Sequence, residues 1–347
     1  MLKKNFFIPI VTVNLTQFDT QTTELSGLSA EMKTFYEDAL IDIAEPKLVH
    51  DQFADKYPIP KGKGKTIEFR KYSKLPKAMT PLTEGVTPAG NSLNVTTMTS
   101  TVKQYGDYIQ SSDVLELTAI DNNVVQSTKL LGAQSGRTLD SVTREVINAG
   151  TNVMYADKNV SGTLTEVVSR SGLDETAKLT VDTIFRAVAL LESQNADYID
   201  DSFVAIIHPF AAYDLMRSEE WIDAHKYATP ENIYNGEIGK IGNCRFVKST
   251  EAKVFRDSTC PSYTEGSETK YYGVFSTLVL GAHAYATTEV TGGGLQHIVK
   301  QLGYGDDPLN QRSSVGWKAI KTAEILVQEN MVRIESLGKY SKTVEAN

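Results

Sequence analysis

Cysteine is scarce: Cys244 and Cys260 are the only two in 347 residues, enough for one bridge and too few for a disulfide framework. A reducing compartment is the expected setting. Long apolar runs are missing too, since nothing approaches the ~20 residues that a membrane helix needs. The opening MLKKNFFIPIVTV imitates a signal peptide, but Pro9 interrupts it and Thr12 dilutes it, so secretion is not expected. Positive charge is in deficit. With 35 Lys and Arg against 43 Asp and Glu, the formal net charge of -8 argues against a surface built to neutralise nucleic-acid phosphates. A wall that merely encloses nucleic acid is compatible with it.

Motifs that carry chemistry are also lacking. GKGKT at 62–66 ends like a phosphate-binding loop, but the position five before Gly64 is Ile59, and a strand pattern rather than a helix follows. GGG at 292–294 and GYGDDP at 303–308 lack the order and context of a dinucleotide fingerprint. His283 and His297 lie on either side of a glycine-rich turn without metal-ligand spacing, and Asp306-Asp307-Pro308 reads as an acidic turn. No nucleophile elbow appears. The expectation is no cofactor, no metal and no catalytic residue.

His208 is the one histidine that invites a catalytic reading, because FVAIIH ends like a strand and PFAAYDLMRSEEW begins like a helix, with Pro209 suited to the first helical position. A base needs an orienting group or a nucleophile, and Asp214 on the following helix has no diagnostic spacing. The preferred reading is a capping or core histidine. An α/β enzyme using His208 and Asp214 is the rival.

What the chain does contain is a sequence of well-marked elements. Residues 1–30 are polar and extended in character; helical spacing follows through Met32, Phe35, Ala39, Leu40 and Ile43 up to Pro46, and His50 is expected on a surface or helix face. Residues 57–110 read as one long hairpin. Thr66 to Tyr72 alternates around Ile67 and Phe69, the partner run is NSLNVTTMTSTVKQYGDYI, and MTPLTEGVTPAGN connects them. The hairpin is basic, with Lys56 at its base and Lys61, Lys63, Lys65, Arg70, Lys71, Lys74 and Lys77 along it. A two-stranded ribbon is marginal alone and exposes two edges. Ile67, Phe69, Leu93 and Val95 are therefore expected to need cover from a neighbouring copy, and the lysines to lie on an acidic neighbour.

Residues 121–150 are the clearest helix. Asp121 is placed to cap it, and Val124, Leu131, Leu139, Val142 and Val146 form an apolar stripe. Asp140 and Arg144 are spaced as an exposed pair, and Gly132 and Gly136 each cost about 1 kcal/mol relative to alanine, which close packing or a bend would explain. Residues 180–290 alternate strand and helix as a compact α/β lobe. Two strand runs, near His297 to Gln301 and Ala323 to Ile334, are expected to pair with the lobe holding the long helix.

This order, with AIIHPFAAYDL and DDPLNQRSSVGWKAIKTAEILVQENMVRIES, resembles the major capsid proteins of tailed phages, the Hong Kong ninety-seven type or Johnson fold, and within it the N-four-like family. The resemblance runs from about Phe35 to Ser336 and implies an α+β fold. By it, residues 1–56 are the N-terminal arm, 57–110 the E-loop hairpin, and 111–179 a peripheral domain with its spine helix at 121–150. Residues 180–290 become the axial domain, whose helix starts at His208-Pro209, and 291–347 return to the peripheral domain. The implied product is a homo-oligomeric lattice of hexamers and pentamers around double-stranded DNA, without sequence-specific binding and without a membrane. It would form in the bacterial host cytoplasm and reside in the virion head. Some relatives begin with a long charged scaffolding segment; here the arm starts at once, so scaffolding is expected from a separate protein, as are portal and decoration proteins. Lysine–asparagine cross-linking is not expected. A cellular encapsulating shell is the alternative within the same fold.

Overall fold

The computed structural model describes residues 49–87, 89–118, 123–218, 220–222, 237–304 and 307–347. The helical pattern before Pro46, the cap at Asp121 and Asp306 lie outside them. In chain order the strands and helices are β1 (Asp55–Lys56), β2 (Thr66–Tyr72), β3 (Val95–Thr101), β4 (Lys103–Ser112), α1 (Asp113–Thr118), α2 (Asn123–Asn148), β5 (Val153–Tyr155), β6 (Lys158–Val160), β7 (Thr163–Thr165), α3 (Val181–Ser193), β8 (Phe203–Ile207), α4 (Pro209–Met216), β9 (Glu237–Ile241), β10 (Cys244–Lys248), β11 (Val254–Phe255), β12 (Ser262–Glu265), β13 (Glu268–Tyr271), β14 (Val274–Leu280), β15 (Tyr285–Glu289), β16 (Gln296–Lys300), β17 (Arg312–Ile325) and β18 (Met331–Ser336).

Two large sheets organise the molecule. The first has five strands, built around the 14-residue β17. One edge of β17 pairs with β16 and then β15, which in turn carries β1; its other edge pairs with β4 along Arg312 to Lys321. Odd-numbered residues of β17 face α2, so Val315, Trp317 and Ala319 pack with Leu131 and Leu139. The second sheet has seven strands in the order β5-β18-β14-β8-β10-β9, with β11 on β14.

The seven-stranded sheet is covered on both faces, which is why FVAII and VFSTLVL are continuous apolar runs rather than alternating ones. Phe203, Ala205 and Ile207 of β8 meet Ile184, Leu191 and Leu215 of α3 and α4 on one side. Ile206, Leu278 and Leu280 meet Ile147 of α2 and Tyr285 of β15 on the other, so the lobes share a core. Thr180 caps α3 by accepting from the Thr183 amide, and β9 turns into β10 through Gly242 and Asn243 at φ of 52° and 59°, the left-handed pair that a tight hairpin requires.

Three boundaries differ from the sequence reading. The hairpin ends at Thr101 rather than 110, because β4 leaves it to pair with β17, and Val102 is buried at the junction. β15, read as part of the α/β lobe, lies in the five-stranded sheet. The return of 291–347 is divided: β16 and β17 join the sheet that carries α2, whereas β18 crosses to pair with β14 and β5. The break falls at Leu326–Asn330, and burial of Val332 and Ile334 under α3 and α4 holds β18 in the second sheet.

Candidate assembly surfaces

The ribbon pairs Thr66 to Tyr72 with Val95 to Thr101 in antiparallel register. Its two faces differ. Ile67, Phe69, Lys71, Met98 and Ser100 share the face turned to their own molecule: Phe69 meets Tyr57 edge-on at 5.4 Å, the Ser100 hydroxyl lies 3.1 Å from that of Thr322, and Lys71 donates to Glu329 at 2.9 Å. Lys71 holds the Glu329 carboxyl below its ordinary range. Ile67 and Phe69 are thus half-buried within their own subunit, which corrects the expectation that only a neighbour covers them; the base of the ribbon rests on β17. Leu93 and Val95 are exposed, as are Lys61, Lys63, Lys65, Lys74 and Lys77, while Arg70 pairs with Glu68 at 3.1 Å. Residues 73–87 and 89–94 form no regular structure, and Met79 and Leu82 at the tip are 81% and 76% exposed.

Helix α2 is rotated from the expected stripe. Leu131 and Leu139 are buried with Gly132 and Gly136, but Val124, Val142 and Val146 are only half-buried, and Ile147 takes the central place at the lobe junction. Its buried face is largely polar. Asp140 and Arg144, expected as an exposed pair, are both buried and do not bond each other: Asp140 receives His50, and Arg144 donates to the Glu251 carbonyl and to Glu145. The C-terminus of α2 receives no basic residue from its own last turn; Arg333 of β18 reaches across and donates to the carbonyls of Asn148 and Gly150.

Segment 49–55, read as the end of the N-terminal arm with His50 on a surface or helix face, is instead the polar clasp between the lobes, and His50 is fully buried because Asp140 of α2 binds both its amide and its ring. The His50 amide and ring nitrogen Nδ1 lie 2.8 and 2.7 Å from the two Asp140 oxygens, and the His50 carbonyl accepts from the Tyr285 hydroxyl. Asp51 accepts from Thr143 at 2.6 Å and from Lys321. Burial, followed by the charges of Asp51 and Asp140, pushes the Tyr285 phenol well above its ordinary range. Sequence signals for this clasp were weak, because the four partners of His50 and Asp51 come from three separate elements, α2, β15 and β17. A second buried clamp joins Arg170 to Glu335 through two contacts of 2.6 Å, with Arg170 stacked 3.7 Å over the Phe255 ring.

His208 caps α4: its Nδ1 accepts from the Phe210 amide at 3.2 Å, and its ring stacks on Phe275 at 5.1 Å. Burial lowers its pKa to about 4, so it is neutral near pH 7. Pro209 takes the first helical position. Asp214 is engaged elsewhere, accepting from the Lys339 amide at 3.0 Å. His283 pairs with Asp55 at 2.7 Å and His297 of β16 is buried on the α2 side of the five-stranded sheet, opposite Trp317; among the described residues no cluster could hold a metal. Asp307 accepts from the Arg312 amide at 2.7 Å, closing a turn.

No family model and no curated protein matches the sequence. Solved structures do match. The chain is similar to the capsid structure of cyanophage P-SCSP1u, with 14% identity, TM-score 0.60, and coverage of 82% of this chain and 87% of that one. It is also similar to the capsid of Ralstonia phage GP4, with 15% identity, TM-score 0.59, and coverage of 83% and 87%. The cyanophage Pam1 capsid matches at 13% identity and TM-score 0.58 over 80% and 87%. Likeness at such identity speaks for the backbone, and the backbone is a mixed α+β arrangement matched over most of its length: the chain has the fold of tailed-phage capsid proteins, the Hong Kong ninety-seven type.

Proposed function

We propose that this chain is the major capsid protein of a tailed phage, assembling through hexamers and pentamers into an icosahedral head around double-stranded DNA. The ribbon carries the reading. Its exposed tip and outer face present Tyr72, Leu75, Met79, Leu82, Leu93 and Val95 to solvent, more apolar surface than a soluble monomer keeps on one projection. In a lattice that surface is covered, and many modest contacts act together through closure. In this assignment the lobe of α2 is the peripheral domain and the lobe of α3 and α4 the axial domain. The net negative charge suits a wall that encloses DNA without holding it tightly. The assignment implies scaffolding, portal and decoration proteins as partners and the host cytoplasm as the place of assembly.

The test is electron microscopy and sedimentation of the full chain beside a variant in which residues 74–93 are replaced by Asn-Gly. The wild type is expected to give closed shells, tubes or hexameric rings, and the variant a folded monomer with unchanged far-ultraviolet dichroism. A wild type that stays monomeric at high concentration, or a variant that assembles like it, overturns the reading. Native particles holding a cargo enzyme in place of DNA would assign the fold to a cellular compartment.

A further inference from the structure

Among the described residues six lysines pair with carboxylates, and in five of those pairs at least one side chain is 47% exposed or more. Lys321 with Asp51 is the exception, at 10% and 16%. Lys321 is an odd-numbered residue of β17 and so points at α2, where its Nζ donates to the Leu139 carbonyl at 3.2 Å as well as to Asp51. Asp51 presents one carboxylate oxygen to that Nζ and with the other accepts from the Thr143 hydroxyl at 2.6 Å. The preceding residue, His50, is held to Asp140 through its amide and ring at 2.8 and 2.7 Å, one turn of α2 before Thr143. The amine nitrogen and both carboxyl oxygens of the pair therefore have fixed partners in a site nearly closed to water.

Taking an ammonium and a carboxylate out of water is costly even when they pair. An amide in their place carries no charge and keeps both outer contacts, its N–H toward the Leu139 carbonyl and its oxygen toward the Thr143 hydroxyl. We propose that Lys321 Nζ and Asp51 Cγ join in an isopeptide bond within one subunit. A proton passes from the ammonium to the contacting carboxylate oxygen, which leaves a neutral amine against a neutral acid. The nitrogen lone pair then attacks Cγ and forms the C–N bond, while the Thr143 hydroxyl donates to the oxygen on which negative charge gathers. A second proton passes from the nitrogen to the hydroxyl of the former acid, the C–O bond breaks and water departs. Ammonium and carboxylate become amide and one water, so the step consumes no oxidant, reductant or activating co-reactant. Because the fold already holds nitrogen and carboxyl in contact, the condensation is unimolecular. The bond would make the clasp of segment 49–55 on β17 covalent. It lies inside one chain and does not depend on the shell reading.

The test is the intact mass of the purified full chain after complete denaturation, followed by tryptic mapping. The wild type is expected to weigh less than its sequence by one water and to yield a branched peptide joining residues 48–56 to 319–333. It is expected to run as a single chain on a denaturing gel. Lys321→Arg keeps the ion pair and supplies no primary amine, and Asp51→Ala removes the acyl group; each is expected to show the full mass of its own sequence and no branched peptide. Far-ultraviolet dichroism like that of the wild type verifies that Lys321→Arg is folded. A wild-type chain of full mass, both when fresh and after prolonged incubation in the folded state, overturns the proposal. So does a loss of water that persists in Lys321→Arg, since the bond then lies elsewhere.

Discussion

β14 and β3 are both seven-residue strands rich in β-branched residues, yet all seven residues of VFSTLVL are buried and only one of VTTMTST is. The first lies between α3 and α4 on one side and the lobe junction on the other; the second has a single partner strand and solvent on its outer face. Strand propensity is therefore shared, and burial is what separates the two regions. A core strand is stabilised within the subunit, whereas the ribbon rests one face on its own subunit and leaves the other to solvent, the face that the proposed shell would cover.

The largest effect expected inside the core side of that contrast is at the Arg170–Glu335 clamp. Glu335→Ala leaves Arg170 and Arg333 without their buried partner and is expected to cost about 3–5 kcal/mol in denaturant unfolding. Next come two leucines with the same chemistry. Leu278→Ala, in the junction core, is expected to cost about 2–5 kcal/mol, while Leu82→Ala at the ribbon tip should change monomer stability by no more than about 0.5 kcal/mol and act instead on assembly. Equal losses of stability would erase the distinction between the regions. A smaller effect is pH-dependent. Burial lowers the His208 pKa from 6.5 to about 4, so between those values the unfolded chain binds a proton that the folded protein refuses. Stability is complete above pH 6.5 and falls as pH drops toward 4, by on the order of 3 kcal/mol from this residue. His208→Asn keeps an oxygen to cap α4 and should flatten the loss of melting temperature over that window; buried His297, lowered in the same direction, retains part of it.

Much of the fold was legible because local rules and tertiary demands agree. FVAIIH followed by Pro209 reads as a strand, a cap and a helix, and the structure places β8, His208 and α4 there. The paired runs from Thr66 and toward Thr101 read as a hairpin for the same reason, since alternation and turn residues act over a few positions. The limits of legibility are equally physical. NSLNVTTMTSTVKQYGDYI is uniformly strand-like, and nothing local in it announces that Val102 is the point where one sheet ends and another begins. Asp140 and Arg144 have the spacing of an exposed helix pair, and only the arrival of His50 from 90 residues upstream makes Asp140 a buried acceptor.

The sequence alone determined the element types, the alternation of the ribbon strands, the cap at His208 and the separation of a basic stem from a nearly uncharged tip, because propensity, period and charge are properties of neighbours along the chain. Tertiary structure alone decided that β18 leaves β17 for the other sheet, that segment 49–55 clasps the two lobes, and that Arg170 meets the buried Glu335 from 165 residues away. Those outcomes depend on which distant residues share a buried volume, and burial is a property of the whole packed chain rather than of any stretch within it.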